Sequence, residues 1–304
     1  MNMVLSPSPP EQTIFIAGPT ASGKSAVALA LAEMIDAEIV SADAYQVYRE
    51  MPILTATPSS EDLARVAHSM IGFLEVTETW DATLHYTRSM ECIRDIHARG
   101  KRALVVGGSG LYLKFLTHGL SKAPPGDAAL RATFAKKSLE ELVELLRKAD
   151  PEGAQATSLE NRRYVERNLE IILVGGKPLS YWRQNWLNPP AGPGWVLDCD
   201  VDNLDQRIAR RTETMFEAGV LDEVAKLPLC SVTAAKTLGL PQIKSCLAGE
   251  ITQEECKKAV ALATRQYAKR QRTWLRRESW LRKLTVTPFS SFLNLAFQVR
   301  QDLL

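Results

Sequence analysis

The chain has 304 residues, of which 45% are hydrophobic and 24% are charged, and its formal net charge is +2. These values are typical of a globular protein outside the membrane, because no apolar run approaches the ~18 residues that span a bilayer. The small net charge excludes an overall field that would attract nucleic acid, so only local clusters of charge can indicate such a partner.

The first predicted elements alternate between strand and helix. Residues 1–12 lack the basic and apolar regions of a signal peptide and are predicted to be a flexible tail. A strand is predicted at residues 13–17, then a helix to about Met34, a strand in AEIVSAD, a helix over residues 84–99 and a strand in RALVVGGSG. Unbroken apolar runs suit parallel strands that are covered on both faces. The alternation therefore predicts a doubly wound α/β core.

The pattern changes between residues 120 and 193. This stretch has helical patterns and no convincing strand, and the breaker-rich segment NPPAGPG closes it. WVLDCDV then returns to strand character, and the chain from Leu204 onward is mostly helical. We therefore predict a helical insertion, residues 120–193, in a core formed by residues 13–119 and 194–304.

The segment GPTASGKS lies between the first strand and the first helix and matches the pattern G-x-x-x-x-G-K-[ST]. Glycines let successive N–H groups point inward, the helix N-terminus adds partial positive charge, and Lys24 adds a full charge. Ser25 is predicted to ligate Mg²⁺. The residues predicted to bind a diphosphate are Gly18, Thr20, Ala21, Ser22, Gly23, Lys24 and Ser25.

The usual partner of a nucleotide-hydrolysing loop, an acid after a second strand that holds Mg²⁺, is missing from RALVVGGSG, which ends in glycines and Ser109. The well-placed carboxylate is Asp43, expected at the carboxyl edge of the sheet in the same crevice as the loop. Asp43 is interpreted as a general base, with a helix N-cap or a metal contact as the alternative. This combination favours a ligand whose diphosphate departs, because the loop stabilises the charge that then develops.

Five segments in this order and spacing resemble the tRNA dimethylallyltransferase (tRNA isopentenyltransferase) family: GPTASGKS, SADAYQVYREM, GGSGLYLKFL, RNLEIILVGGKPLS and RQYAKRQRTWLR. The resemblance extends from about Ile14 to Arg277. It implies a P-loop NTPase-like parallel sheet with a helical insertion domain that binds tRNA. It also implies Mg²⁺ and the transfer of a dimethylallyl group from dimethylallyl diphosphate to the exocyclic amine of the adenosine next to the anticodon. The implied partner is the anticodon stem-loop, the implied location is cytoplasmic, and nothing demands more than a monomer.

The resemblance also assigns roles to single residues. Asp43 resembles the base that accepts the amine proton, and Ser109 resembles a residue that hydrogen-bonds near the reacting phosphate oxygen. Together with Lys24 these are the predicted catalytic residues. Residues that the resemblance places against tRNA are Asp43, Ala44, Tyr45, Gln46, Ser109, Arg131, Arg163 and Arg167.

Several positions depart from the family's pattern. Thr57 stands where the family has a lysine, Ala225 where it has an arginine near the diphosphate, and Leu240 and Pro241 where it has an aromatic and a basic residue. A charged contact is worth ~1.5–3 kcal/mol, so we expect the two missing cations to weaken binding of diphosphate or tRNA.

The predicted helix TRQYAKRQRTWLRRESWLRK carries charge of one sign along one face. Spacings of four, three and four residues align Arg265, Lys269, Arg272 and Arg276, which we call the basic stripe. The opposite, packed face is expected to hold Val260, Ala263, Tyr267, Trp274 and Leu281. Like charges along a helix repel one another, so the basic stripe favours a polyanionic partner and is predicted to contact the phosphate backbone of tRNA or to close over the diphosphate.

Other residues that could carry chemistry are given structural roles. The five cysteines form no C-x-x-C pair, which favours reduced thiols. The four histidines lack metal-ligand spacing, and only His68, which matches a family histidine near the substrate, is kept as a secondary candidate. Trp182, Trp186 and Trp195 are predicted to pack within the fold in preference to stacking on bases.

Three other functions stay open. Prenyl transfer to a free adenine nucleotide is disfavoured by the long insertion and the basic stripe, because a free nucleotide needs no large clamp. A P-loop kinase of a small metabolite would transfer phosphate without a prenyl donor. A catalytically weak RNA-binding relative of the enzyme remains open because of Thr57, Ala225 and Pro241.

Overall fold

The structure is a computed structural model that describes residues 13–182 and 190–304. The predicted tail at residues 1–12 and Trp186 lie outside these described residues. Of the described residues, those within His118–Pro189 form one compact unit, and those within Pro7–Thr117 and Pro190–Leu304 form another. None of the described helices is both long and apolar enough to cross a membrane.

The larger unit is built on a sheet in which all described strands run parallel. In chain order the strands are β1 (Thr13–Ala17), β2 (Ala37–Ala42), β3 (His68–Ser69), β4 (Arg102–Gly107), β5 (Gly194–Cys199) and β6 (Arg282–Val286). Their spatial order in the sheet is β3-β2-β4-β1-β5-β6. β1 and β2 are buried along their whole length; the sequence of β1 is mostly apolar, whereas β2 also buries Glu38 and Ser41. β3 and β6 were not predicted, because β3 has two residues and β6 is an edge strand with mostly exposed, polar side chains.

Between β4 and β5 in the chain, the described elements are helices. In the core, helices alternate with strands as predicted. In chain order they are α1 (Lys24–Ile35), α2 (Pro52–Thr55), α3 (Ser60–Arg65), α4 (Ala82–Ala98), α5 (Gly110–His118), α6 (Ala128–Phe134), α7 (Leu139–Ala149), α8 (Pro151–Gln155), α9 (Arg162–Gly175), α10 (Leu179–Trp182), α11 (Val201–Glu217), α12 (Val220–Ala225), α13 (Leu240–Leu247), α14 (Gln253–Leu275) and α15 (Phe292–Asp302). Within residues 118–182 the described elements are all helical, and their core includes Leu142, Leu146, Val165 and Leu169.

The buried face of α14 differs from the predicted one. It consists of Val260, Thr264, Ala268, Gln271 and Leu275, at spacings of four and three residues. Of the predicted face, Ala263, Tyr267 and Trp274 lie half-buried beside this stripe, and Leu281 is buried but lies beyond the end of the helix. Polar side chains are tolerated at these core positions because their polar groups are hydrogen-bonded. Thr264 donates to the Val260 carbonyl, and Gln271 donates to the Gly108 carbonyl.

His85 is a fully buried histidine of α4 within an aromatic cluster. The indole N–H of Trp80 donates to His85 Nδ1 at 3.3 Å, and the imidazole stacks on Tyr112 with ring centroids 4.3 Å apart. Burial lowers the pKa of His85 to about 3, and the Ser41 backbone opposes this shift only in part. His85 is therefore neutral near pH 7 and serves as part of the core.

We expect His85 to make the fold sensitive to acid. Its folded pKa of about 3 lies below the ordinary value of 6.5, so the unfolded chain binds the extra proton between these values. The contribution of His85 to the free energy of unfolding should then be fully present above pH 6.5 and be lost as the pH drops toward 3. Between pH 7 and pH 5, the free energy of unfolding measured in urea should fall by about 2 kcal/mol less in His85→Phe than in the parent. Equal losses in the two proteins would contradict this role.

Candidate active site

The loop between β1 and α1 has the backbone that the glycine pattern predicts. Gly23 is the N-cap of α1 at φ 95°, and a Cβ at this position would collide with the Phe292 ring. Both the left-handed backbone and the close approach of the ring therefore require glycine. The ammonium group of Lys24 folds back over the loop and donates to the Pro19 carbonyl at 2.8 Å. The loop thus surrounds a cation at the start of a helix, an arrangement suited to an anion.

A small pocket of about 80 Å³ joins this loop to the end of β2. It is lined by Lys24 and Ser25 of α1, Asp43 just after β2, Arg211 of α11 and Gln271 of α14. The carboxyl ends of β1 and β2 lie at one edge of the sheet because both strands pair in parallel with β4. The structure therefore brings the predicted base beside the predicted diphosphate loop.

The two cations in this pocket are strongly desolvated. Burial lowers the pKa of Lys24 to about 8; the Asp43 carboxylate opposes that shift, and Arg211 reinforces it. Burial also lowers the pKa of Arg211, again opposed by Asp43, and the guanidinium donates to Thr20 Oγ1 at 3.2 Å. Two half-buried cations facing one carboxylate leave an excess of positive charge, which an anionic ligand would neutralise.

Asp43 occupies the turn that follows β2. Its Oδ1 accepts hydrogen bonds from the backbone N–H groups of Tyr45 at 2.9 Å and Gln46 at 3.4 Å. Asp43 thus caps a turn through one oxygen, and it is not the N-cap of a helix, since no helix follows it directly. No hydrogen bond among the described residues uses Oδ2, so the carboxylate is oriented through one atom and keeps the other for a ligand.

Ser109 lies against the same turn. Its Oγ accepts from the Ala44 N–H at 3.2 Å and lies 3.5 Å from the Tyr267 hydroxyl, whose pKa is raised by burial and by Asp43. The amide of Gln46 is engaged within the chain, since Oε1 accepts from Ser41 Oγ and Nε2 donates to the Ala56 carbonyl. Ser109 and Gln46 thus fix the position of the Asp43 turn, and their contacts with a substrate remain predictions.

Sequence reasoning missed Gln271, which ties the two loops of the site together. The buried Gln271 accepts from the Thr20 N–H at 2.8 Å and donates to the Gly108 carbonyl at 3.0 Å. A Cβ on Gly108 would collide with Gln271 and with the Gly18 carbonyl, so these groups pack without spare room. The signal was its position in the inward stripe of α14, three residues after Ala268 and four before Leu275.

Comparison with known proteins identifies the family. A family model described as IPP transferase matches residues 46–278. A protein named tRNA dimethylallyltransferase from Akkermansia muciniphila is 62% identical over 291 residues, which cover 96% of this chain and 99% of that one. The chain belongs to the IPP transferase family.

Solved structures support the same assignment. A tRNA isopentenylpyrophosphate transferase from Bacillus halodurans has a TM-score of 0.69 and 29% identity, covering 96% of this chain and 97% of that chain. A eukaryotic dimethylallyltransferase described as acting on tRNA has a TM-score of 0.80 and 25% identity, covering 95% of this chain and 77% of that chain. The predicted family and the P-loop-like α/β fold are therefore confirmed.

The departures from the IPP transferase pattern fall in different environments. Thr57 lines a large cavity beside the diphosphate loop, where a lysine at this position would add a further cation. Ala225 is exposed on α12 and lines neither this cavity nor the small pocket, and the weaker binding expected from the missing arginine stays a prediction. Arg211, which sequence reasoning missed, supplies the buried cation. Leu240 is 1% exposed and packs in the core, while Pro241 lies in the first turn of α13.

The basic stripe of this IPP transferase lines a groove of about 430 Å³ against α11. All four predicted cations, Arg265, Lys269, Arg272 and Arg276, contribute to it. Asp205 of α11 also lines the groove, with its carboxylate 3.7 Å from Arg265 Nε. Arg265 is therefore partly neutralised, and Arg272 and Arg276 are the clearer candidates for contact with an anion.

The three arginines predicted in the insertion lie in the smaller unit. Arg131 and Arg167 both bind the buried Glu170, at 2.7 and 2.8 Å. Burial alone would raise the pKa of Glu170, but the two guanidinium groups outweigh it and lower that pKa. Arg163 is exposed and has no ion-pair partner among the described residues. Arg131 and Arg167 thus have a structural role, and an RNA contact by any of the three remains a prediction.

The remaining candidates have local partners. His68 lines the small pocket, and its Nδ1 lies 2.8 Å from the Val66 carbonyl, which fixes the ring; burial lowers its pKa. Trp195 is fully buried and donates to Asp302, and Trp182 donates to the Lys177 carbonyl. The packing role predicted for these two tryptophans is confirmed.

Proposed function

We propose that this chain transfers a dimethylallyl group from dimethylallyl diphosphate to the exocyclic amine of the adenosine adjacent to the tRNA anticodon, releasing diphosphate. The observation that carries the proposal is the small pocket in which Asp43 faces Lys24, Ser25 and Arg211. Such a pocket offers a base for an amine and cations for a leaving diphosphate in one place. The names of the relatives supply the identity of the donor and the acceptor.

The chemistry is a substitution at the allylic carbon. The amine nitrogen forms a bond to this carbon as the bond from the carbon to the diphosphate oxygen breaks, and Asp43 accepts the proton that the nitrogen loses. Negative charge grows on the departing oxygen, where the loop N–H groups, Lys24 and Arg211 stabilise it more than in the ground state. Reaching the pocket requires the target base to leave its stack, which costs a few kcal/mol and least in a single-stranded loop.

Mg²⁺ fits the residues that are present. Among the described residues no three His, Cys, Asp or Glu side chains form a metal cluster, and Mg²⁺ commonly uses one or two protein oxygens together with phosphates and waters. Ser25 Oγ, at the start of α1 and in the small pocket, would hold it next to the diphosphate. The ion would supply additional positive charge on the diphosphate oxygens.

Incubation with Mg²⁺, dimethylallyl diphosphate and total tRNA tests the proposed function. Digested tRNA should contain prenyladenosine by mass spectrometry, and parallel reactions with AMP or with ATP alone should give neither prenylated nucleotide nor phosphate release. Product on AMP alone would favour a free-nucleotide prenyltransferase. ATP turnover without the prenyl donor would favour a kinase, and tRNA binding without product would favour an RNA-binding relative.

The depressed pKa of Lys24 gives the proposed reaction a pH dependence. Lys24 is charged below about pH 8 in the free protein and loses its proton as the pH rises through that value. We therefore expect kcat/KM for the prenyl donor to fall above about pH 8, because this parameter reports groups of the free enzyme. In Lys24→Arg, whose guanidinium stays charged, this alkaline fall should be absent even if the rate is lower. A parent profile that stays flat to pH 10 would contradict the assignment.

The basic stripe is proposed to contact the tRNA backbone. In Arg272→Glu with Arg276→Glu, tRNA affinity should fall roughly tenfold or more, and the slope of log affinity against log salt should become flatter. Filter binding across a salt titration measures both quantities. Affinity and slope equal to those of the parent would exclude the stripe as an RNA contact.

A further inference from the structure

A second, larger cavity of about 1130 Å³ adjoins the diphosphate loop. Its walls carry four cations, Lys24, Arg207, Arg210 and Arg211, and none of its lining residues is an aspartate or a glutamate. Like charges at such spacing repel one another, and no carboxylate of the cavity compensates them. Other arginines of this chain, such as Arg65 and Arg99, are paired with carboxylates. The unbalanced charge therefore indicates an anionic ligand.

The four cations divide into an inner and an outer pair. Lys24 and Arg211 also line the small pocket with Asp43, whereas Arg207 and Arg210 line only the larger cavity. On α11 the spacing of three and four residues places Arg207, Arg210 and Arg211 on one face of the helix. The outer pair thus continues the positive surface of the reaction site outward along α11.

Arg207 is held in place at the mouth of the loop. Its Nε donates to Asn203 Oδ1 at 2.9 Å, and its guanidinium lies over the Phe292 ring, 5.2 Å from the centroid. The same ring packs directly on Gly23, the N-cap of α1. No hydrogen bond among the described residues uses the terminal nitrogens of Arg207. Arg207 is therefore pre-ordered beside the diphosphate loop with free donors.

We propose that Arg207 and Arg210 form an outer diphosphate site, where the prenyl donor docks before the reaction and through which inorganic diphosphate leaves. This inference rests on the proposed function, since that function supplies the diphosphate. Ile53, Met215 and Phe292 give the same cavity apolar walls that suit a prenyl tail. An RNA phosphate has no such tail, so the lining favours a prenyl diphosphate over the tRNA backbone. The volume exceeds that of an ordinary ligand pocket, which leaves room for two bound positions.

The test compares Arg207→Gln with Arg210→Gln, singly and together, against Arg300→Gln, an exposed arginine of α15 outside both cavities. Calorimetry with inorganic diphosphate as the probe measures binding to the whole protein, and steady-state kinetics at saturating tRNA give kcat and KM for the donor. In the double variant we expect Kd and KM to rise roughly tenfold with kcat changed less than about twofold. Arg300→Gln should match the parent. Thr57→Lys, which adds a cation to the same cavity, should lower KM.

Three outcomes would overturn the outer site: unchanged Kd and KM in the double variant, a fall confined to kcat, or weaker tRNA binding with donor binding intact. The last would assign these arginines to RNA. The outer site and the proposed function can fail separately. Prenyl transfer with an unchanged donor KM would remove only the outer site. If the protein prenylates no tRNA but binds diphosphate in a way that depends on Arg207 and Arg210, the outer site would be supported and the proposed function would be contradicted.

Discussion

Replacing Asp43 with asparagine is expected to lower turnover by about 10²–10⁴-fold, the range for loss of a general base. The amide keeps an oxygen that can accept the Tyr45 N–H bond now made by Oδ1, so the turn after β2 should persist. It lacks the basicity needed to take the amine proton. Affinity for tRNA should stay within about twofold, because the change is one atom and the phosphate contacts lie elsewhere. Single-turnover formation of prenyladenosine and filter binding measure the two quantities.

Asp43→Ala is the matched comparison, because it removes both the basic oxygen and the acceptor for the turn. We expect this variant to lose turnover to the same extent and also to lower the free energy of unfolding by about 1 kcal/mol, the usual worth of such a bond. If Asp43→Asn forms product at the parent rate, Asp43 is not the base, whatever the alanine variant does.

Replacing Arg211 with glutamine is expected to lower kcat/KM for the prenyl donor by about 10²–10³-fold, as for other preorganised donors to a developing negative charge. The guanidinium lies in the pocket with Lys24 and Asp43 and donates to Thr20, whereas glutamine is shorter and carries no charge. The same change should alter Lys24, since the charge of Arg211 helps to depress the pKa of that lysine. The fall of kcat/KM at alkaline pH should therefore move to higher pH.

The shift of the alkaline fall separates an electrostatic role of Arg211 from a folding defect. A merely misfolded variant would lose activity at every pH without moving the profile. Removing a desolvated cation should also leave the free energy of unfolding unchanged or higher, because no carboxylate compensates its burial fully. A variant with parental kcat/KM, or with a lower rate and an unmoved alkaline fall, would contradict the role proposed for Arg211.

The elements that sequence predicted well are those whose signal is local. β1, β4 and β5 have continuous apolar runs, and the loop before α1 has its glycines at fixed spacing. The elements it missed have weak local signals. β6 pairs with β5 over five residues, yet its sequence RKLTV lies among helices and is mostly exposed. Its strand conformation is set by that pairing and not by an apolar pattern.

The basic stripe on α14 shows why a buried polar residue among charged neighbours is hard to recognise from sequence. Lys269 and Arg272 were predicted to act because they align on one face, whereas no local pattern singled out Gln271 between them. Its burial depends on the Thr20 N–H and the Gly108 carbonyl, groups 251 and 163 residues away in sequence. A pattern confined to one helix does not contain those partners, so the structural role of Gln271 was not predictable from α14 alone.

By itself the sequence determined the phosphate-binding loop, the position of Asp43 at the end of a strand, the alternation that makes an α/β sheet, and the family. These follow from spacing along the chain, because strand and helix periods and glycine turns are local properties. Only the tertiary structure decided that Arg211 is the second buried cation, that Ala225 faces solvent, and that Arg207 and Arg210 open onto a cavity without carboxylates. The reason is that burial and charge balance depend on groups that the fold brings together across long separations in sequence, such as the 191 residues between Thr20 and Arg211.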